Sequence, residues 1–181
     1  MEKHMKETWK NKITVKRLCF SAIFAALCAA ATLISIPIPM GYINLGDLMV
    51  LTAGWCLGGV FGPIAAGLGS ALADLLLGYV SYAPATFVIK ALVALLAALL
   101  YKVFKTLFGA KIIDFLPRFI TALLSECVMV GGYFLFEATV MGYGLGAAAS
   151  IPFNAIQGVV GALGASLIAG KIIFWTKINK E

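Results

Sequence analysis

Three ionisable side chains, Asp74, Lys90 and Glu126, lie within long apolar stretches of this sequence. Each would cost roughly 2.5–3.5 kcal/mol at the centre of a lipid bilayer if it faced lipid alone. We therefore expect all three to face the inside of a helix bundle and to find polar partners there. Such a group can bind a polar ligand, relay protons, or form a structural ion pair of Lys90 with Asp74 or Glu126.

Neutral polar side chains are expected at the same depth as these charges. Asn154 and Gln157 are three residues apart and share one helix face, while Tyr133 follows Glu126 by seven residues on another. One ion pair does not require so many donors, so the pattern favours a binding site in the outer half of the bundle. The predicted substrate-binding residues are Asn44, Asp47, Asp74, Tyr79, Tyr82, Lys90, Glu126, Tyr133, Asn154 and Gln157.

Two other classes of function use the same charges. A membrane enzyme would employ Asp74, Glu126 and Lys90 as acid, base and electrostatic stabiliser, and a small secondary carrier would relay protons through them. The sequence favours neither, because it has no convincing inverted repeat and no histidine near these positions. We predict no catalytic residue, no metal site and no cofactor, since the four cysteines lie in apolar stretches without metal-ligand spacing.

The segment from Pro37 to Asp47 separates two apolar stretches and is unusually polar. It holds two prolines, two glycines, Asn44 and Asp47, which suit turns and side-chain hydrogen bonds rather than contact with lipid. We predict a loop that closes over a bound ligand.

The composition indicates an integral membrane protein. Hydrophobic residues make up 62% of the 181 residues and charged residues only 12%, about half the share usual in soluble chains. At about 20 residues per span, this length accommodates five to seven transmembrane helices. A net charge of +6 does not indicate nucleic-acid binding here, because the basic residues lie at the chain ends and in one link.

The predicted fold is all-α, a single bundle of six transmembrane helices forming one domain over residues 1–181. A glycine cluster before Pro63 divides one long apolar stretch into two short helices. The six helices are expected at about 18–36, 48–61, 63–78, 85–107, 116–136 and 151–175.

Charge placement supports six spans with cytoplasmic N- and C-termini. Thirteen of the 14 Lys and Arg residues lie in the N-terminal tail, in the link after the fourth helix, or in the C-terminal tail. Six spans put all three regions on the cytoplasmic side, as the positive-inside rule requires. Residues 1–17 are then a basic cytoplasmic tail.

Four motifs together resemble a known family. They are Ile43-Asn-Leu-Gly-Asp47, Leu57-Gly-Gly-Val-Phe-Gly-Pro63, Gly69-Ser-Ala-Leu-Ala-Asp74 and Tyr82-Ala-Pro-Ala-Thr-Phe-Val-Ile-Lys90. This combination resembles the substrate-binding S components of energy-coupling factor (ECF) vitamin transporters. Within this family, the sequences of the motifs are most similar to the branch associated with vitamin B6 or the thiamine precursor hydroxymethylpyrimidine. Riboflavin or another B vitamin is the alternative substrate.

The resemblance implies a multi-pass protein of the bacterial cell membrane that binds a vitamin in its extracellular half. It also implies docking on an ECF module, made of a transmembrane T subunit and two ATPases, and the chain itself has no phosphate-binding loop for ATP. Family members dock through alanines of the first helix. Ala22, Ala26 and Ala30 match that spacing here, and the row of Ala25 and Ala29 matches it equally.

Overall fold

The computed structural model describes residues 15–38, 41–108 and 115–178. Most of the predicted basic tail, together with Lys111 and Lys180, lies outside these ranges. Within them the chain forms six α-helices, one two-stranded hairpin and one 3₁₀ helix. In chain order these are α1 (Val15–Leu33), β1 (Ser35–Ile38), β2 (Gly41–Asn44), α2 (Gly46–Leu57), α3 (Phe61–Leu77), α4 (Ala83–Phe108), α5 (Phe115–Thr139), the 3₁₀ helix (Gly144–Ser150) and α6 (Ile151–Ile178).

Helix α2 occupies the centre of the bundle. It packs against α1, α3, α4 and α6, whereas α1, α3, α4, α5 and α6 follow one another around it. The run from Val50 to Gly54 is buried on every side, as this central position requires.

Small side chains fill the interior, and large apolar ones face outward. Most buried hydrophobic residues are alanines, whereas leucines, isoleucines and valines dominate the exposed apolar surface. Helices can approach closely when the residues between them are small. At Gly69 of α3 an added Cβ would lie 2.2 Å from the carbonyl oxygen of Ala25 in α1. This distribution is the one expected of a bundle surrounded by lipid.

The predicted break between the second and third helices is present in the structure. Helix α2 ends at Leu57, and Gly58 and Gly59 follow with φ of 60° and 50°, a conformation that glycine adopts readily. With 12 residues, α2 is about 18 Å long, well short of a bilayer core of about 30 Å.

Three segments are long and apolar enough to cross a membrane, judged by length and composition. They are Ala83–Phe108, Phe115–Thr139 and Gly144–Ile172. The remaining described helices, α1, α2 and α3, contribute shorter apolar segments.

The segment predicted as a loop is instead an antiparallel hairpin that runs into a helix. Helix α1 ends at Leu33, earlier than expected, and the strands pair Ser35 with Asn44 and Pro37 with Tyr42. Pro37 is tolerated because each strand of a two-stranded sheet has a free edge. Asp47 lies in the first turn of α2 rather than in the loop.

Candidate functional site

A polar cavity lies at the hairpin end of the bundle. Hairpin residues form one wall, and the other lining residues come from α1, α3, the turn after α3, α4, α5 and α6. The lining comprises Thr32, Ile38, Gly41, Tyr42, Asn44, Ser70, Asp74, Tyr79, Tyr82, Thr86, Lys90, Tyr133, Glu137, Asn154 and Gln157. Its volume of about 30 Å³ holds one or two water molecules, whereas ligand pockets usually measure at least about 300 Å³.

Lys90 of α4 is 2% exposed and is held by a buried carboxylate. Its Nζ lies 2.5 Å from Oδ1 of Asp47 in α2 and also donates to Met129 Sδ at 2.9 Å. The same Nζ lies 5.5 Å from the centroid of the Tyr133 ring. An ammonium has three donors, and these two bonds leave one N–H for a group in the cavity.

Gln157 of α6 connects this ion pair to the hairpin. Its Nε2 donates to Oδ2 of Asp47 at 2.5 Å, and its Oε1 accepts from the backbone N–H of Asn44 at 2.8 Å. The Asn44 side chain in turn accepts from the N–H of Gly46 at 2.7 Å, where α2 begins. One chain of polar contacts therefore joins the hairpin, α6, α2 and α4.

A second contact ties the hairpin to α3. The hydroxyl of Tyr42 donates to Oδ1 of Asp74. Burial, with the hydrogen bond to Asp74 as a second cause, raises the pKa of the Tyr42 phenol, so the hydroxyl stays protonated and acts as the donor. Tyr79 adds a weaker contact by donating to the carbonyl oxygen of Gly41 at 3.3 Å.

Aromatic rings and one further carboxylate surround the outer part of the cavity. The Tyr79 ring lies 4.9 Å from that of Tyr42 and 6.0 Å from that of Tyr82, between ring centroids. Glu137 accepts from Ser150 at 2.5 Å and from Tyr82 at 3.5 Å. These rings offer apolar faces, while Asp74, Glu137 and Lys90 offer charges of both signs.

Eight of the ten predicted binding residues line this cavity. They are Asn44, Asp74, Tyr79, Tyr82, Lys90, Tyr133, Asn154 and Gln157. Asp47 and Glu126 are buried but lie outside the lining, and Asp47 acts on the site by holding Lys90 and Gln157. The ion pair considered from sequence was Lys90 with Asp74 or Glu126; the structure shows Asp47 as the partner instead.

Glu126 of α5 is the unusual member of the group. It is 3% exposed, and neither carboxylate oxygen has a hydrogen-bond partner within the described parts of the chain. Its side chain lies against Gly158 of α6, where an added Cβ would come within 2.9 Å of it. Glu126 is thus buried between α5 and α6 and does not line the cavity.

Several lining residues were missed from the sequence. Ser70 and Thr86 precede Asp74 and Lys90 by four residues, so helical spacing from the two charges could have found them. Glu137 belongs by its spacing to the helical stripe of Glu126 and Tyr133, but it was not selected as a binding residue. Tyr42 had no signal beyond its position in the polar segment.

The two alanine rows of α1 have different surroundings. Ala22, Ala26 and Ala30 are exposed along one face of the helix. Ala29 is buried, and Ala25 lies against Gly69 of α3. Only the first row therefore presents a surface on which another protein can pack.

The described residues contain no group of histidine, cysteine, aspartate and glutamate side chains that could hold a metal ion. The cavity is suited to hydrogen bonding and ring stacking.

A bound small molecule should slow hydrogen exchange of the hairpin. The cavity must widen to admit one. The hairpin wall is attached through the hydroxyl of Tyr42 and the backbone N–H of Asn44, so we expect this wall to open and then close on the ligand. Exchange of the Tyr42–Asn44 amides should fall at saturating ligand, while that of Gly58–Val60 at the far end serves as the control. Equal exchange with and without ligand would make the hairpin a static connector.

Comparison with known proteins identifies the family. Residues 12–173 match the family model described as ECF-type riboflavin transporter, S component. A stretch of 67 residues is 45% identical to an uncharacterized protein from the gap 3′ region of Pyrococcus woesei, covering 36% of this chain and 45% of that protein. The family match extends over nearly the whole chain and agrees with the apolar helices. This chain belongs to the S-component family of ECF-type vitamin transporters and is a multi-pass membrane protein.

Proposed function

We propose that this chain captures a small hydroxylated heterocycle, of the pyridoxine or hydroxymethylpyrimidine type, from outside the cell and delivers it to an ATP-driven ECF module. The observation that carries the proposal is the polar cavity beneath the hairpin. Its tyrosine rings can stack on a heterocycle while charged and amide groups bond to its edge. The N–H of Lys90 that is not engaged by Asp47 or Met129 would meet a ligand hydroxyl or ring nitrogen.

The cavity volume favours the smaller candidates. A single-ring ligand requires less displacement of the walls than a three-ring flavin does. Riboflavin is the second candidate, because the matching family model carries that description. For it to bind, both the hairpin and the aromatic side chains beside it would have to move.

A ligand panel tests the substrate. We expect the purified protein in detergent to bind pyridoxine or hydroxymethylpyrimidine more tightly than riboflavin, as measured by calorimetry. Mass spectrometry should find the same compound co-purifying with protein to which no ligand was added. Tighter binding of riboflavin would overturn the single-ring proposal while leaving the transport role intact. No binding of any of the three would contradict both the single-ring proposal and the riboflavin alternative.

We further propose six membrane spans in one domain, with both termini cytoplasmic, in a bacterial cell membrane. The basic residues support this arrangement, because Lys102, Lys105 and Arg118 gather at the end of the bundle opposite the hairpin. Helix α2 then crosses only the outer part of the bilayer. Labelling of a cysteine at Lys111 by an impermeant reagent from outside would contradict the arrangement.

Ala22, Ala26 and Ala30 are proposed as the surface that docks on the T subunit of the ECF module, which supplies two ATPases. Exposure of this row supports the assignment. Small side chains would let helices of the T subunit pack closely against α1.

Ala26→Trp should separate ligand binding from transport. Ala26 is exposed and does not line the cavity, so ligand affinity in detergent should stay near that of the wild type. Uptake in cells that express the ECF module, and co-purification with it, should be lost because the larger ring prevents close packing.

Two variants control for the substitution itself. Ala155→Trp places the same ring at an exposed alanine of α6 and should keep uptake. Ala25→Trp should disturb the packing of α1 on α3 and lower thermal stability. Normal uptake by a folded Ala26→Trp protein would show that α1 is not the docking surface.

A further inference from the structure

A second cavity lies at the end of the bundle opposite the hairpin, and its volume is about 810 Å³. It is present because α2 ends at Leu57 while α4 and α5 extend further along the bundle. On α4 the lining runs from Leu95 to Thr106, beginning about 8 Å beyond Lys90 of the first cavity, and the two linings share no residue. The two cavities therefore have different walls and different chemistry.

The lining of this second cavity is basic and aromatic at one end. Lys102 and Lys105 of α4 and Arg118 of α5 contribute three cations, and none of the described lining residues is acidic. Arg118 is 4% exposed, and its guanidinium lies 5.5 Å from the centroid of the Tyr101 ring. Lys105 Nζ lies 5.4 Å from the same centroid.

The aromatic wall is itself fixed in place. Trp55 of α2 donates from its ring nitrogen to the carbonyl oxygen of Ala97 at 3.0 Å, and its ring lies 6.1 Å from that of Tyr101. The wall that holds two of the cations is therefore attached to the central helix. Of the three cations, Arg118 is buried in the wall of the cavity, whereas Lys102 and Lys105 are exposed lining residues.

The other end of the cavity is apolar and reaches the outer surface of the bundle. Leu95, Ala98 and Leu99 precede Lys102 on the same face of α4, and Leu99 is 50% exposed. Along one helix face the lining thus changes from apolar to cationic. A free inorganic anion would use only the cationic end, whereas an amphiphile uses both.

We propose that this cavity binds the phosphate group of an anionic phospholipid. Lys102, Lys105 and Arg118 would contact the phosphate oxygens, for which a guanidinium is well suited, and an acyl chain would lie along Leu95 and Leu99. Basic pockets between membrane helices bind anionic headgroups in this way. The site is separate from the vitamin cavity and does not depend on which vitamin binds there.

Retention of lipid by the purified protein tests the proposal. Wild-type protein is extracted from nanodiscs of equal parts phosphatidylglycerol and phosphatidylcholine, and bound lipids are identified by native mass spectrometry. We expect selective retention of phosphatidylglycerol. The double variant K102Q/K105Q should lower that selectivity about 25-fold, since each basic residue near an anionic headgroup contributes about fivefold.

A control variant loses the same number of positive charges as K102Q/K105Q, but at positions outside the cavity. R17Q/K171Q removes two exposed cations that do not line the cavity and should retain phosphatidylglycerol as the wild type does. Equal retention by K102Q/K105Q and the wild type would overturn the proposal. So would thermal stabilisation by inorganic phosphate without selective retention of phosphatidylglycerol, which would indicate a free-anion site instead.

Discussion

The buried pair of Lys90 and Asp47 is the constraint on which the rest of the binding region depends. Neither charge is stable alone in an apolar bundle, and removing one partner of such a pair typically costs about 3–5 kcal/mol. Asp47 reaches Lys90 because α2 occupies the centre of the bundle, and α6 approaches it closely at Gly161, where an added Cβ would lie 2.7 Å from the Asp47 side chain. Gln157 then extends the pair to the hairpin. A change at Lys90 is thereby coupled to the hairpin, which forms one wall of the cavity.

Much of the helical fold follows from local features of the sequence. Long apolar stretches predicted the helices, and the paired glycines before Pro63 predicted the break, because those signals act within a few residues. The hairpin was not predicted, since its pairing requires two short segments to meet and Pro37 argues against a strand. Asp47 was assigned to the loop although Asn44, three residues earlier, is a residue type that commonly begins helices. Six helices were therefore foreseeable, whereas the structure of the polar segment between α1 and α2 was not.

The composition of the candidate site was easier to predict than its contacts. Polar residues inside apolar stretches are costly, so their presence indicated a site, and most of those selected do line one cavity. The partner of Lys90 was missed because it depends on how α2 is rotated about its axis, which no spacing within a single sequence determines. The same limitation left the two alanine rows of α1 equivalent until the close approach of Gly69 to Ala25 distinguished them. The separate basic cavity could not be predicted from the sequence either, since it arises from the difference in length between α2 and its neighbours.

A comparison of Lys90→Met with Lys90→Met/Asp47→Asn most directly tests whether Lys90 binds the ligand or only stabilises the bundle. The single variant leaves Asp47 buried without its cation, and the double variant removes that charge. Thermal stability and affinity for pyridoxine, hydroxymethylpyrimidine and riboflavin are measured for both. We predict that the double variant regains stability but binds the cognate compound about ten- to a hundredfold more weakly than the wild type, as expected for one lost charged hydrogen bond. Recovery of wild-type affinity together with stability would show that the pair is purely structural, and would contradict the account.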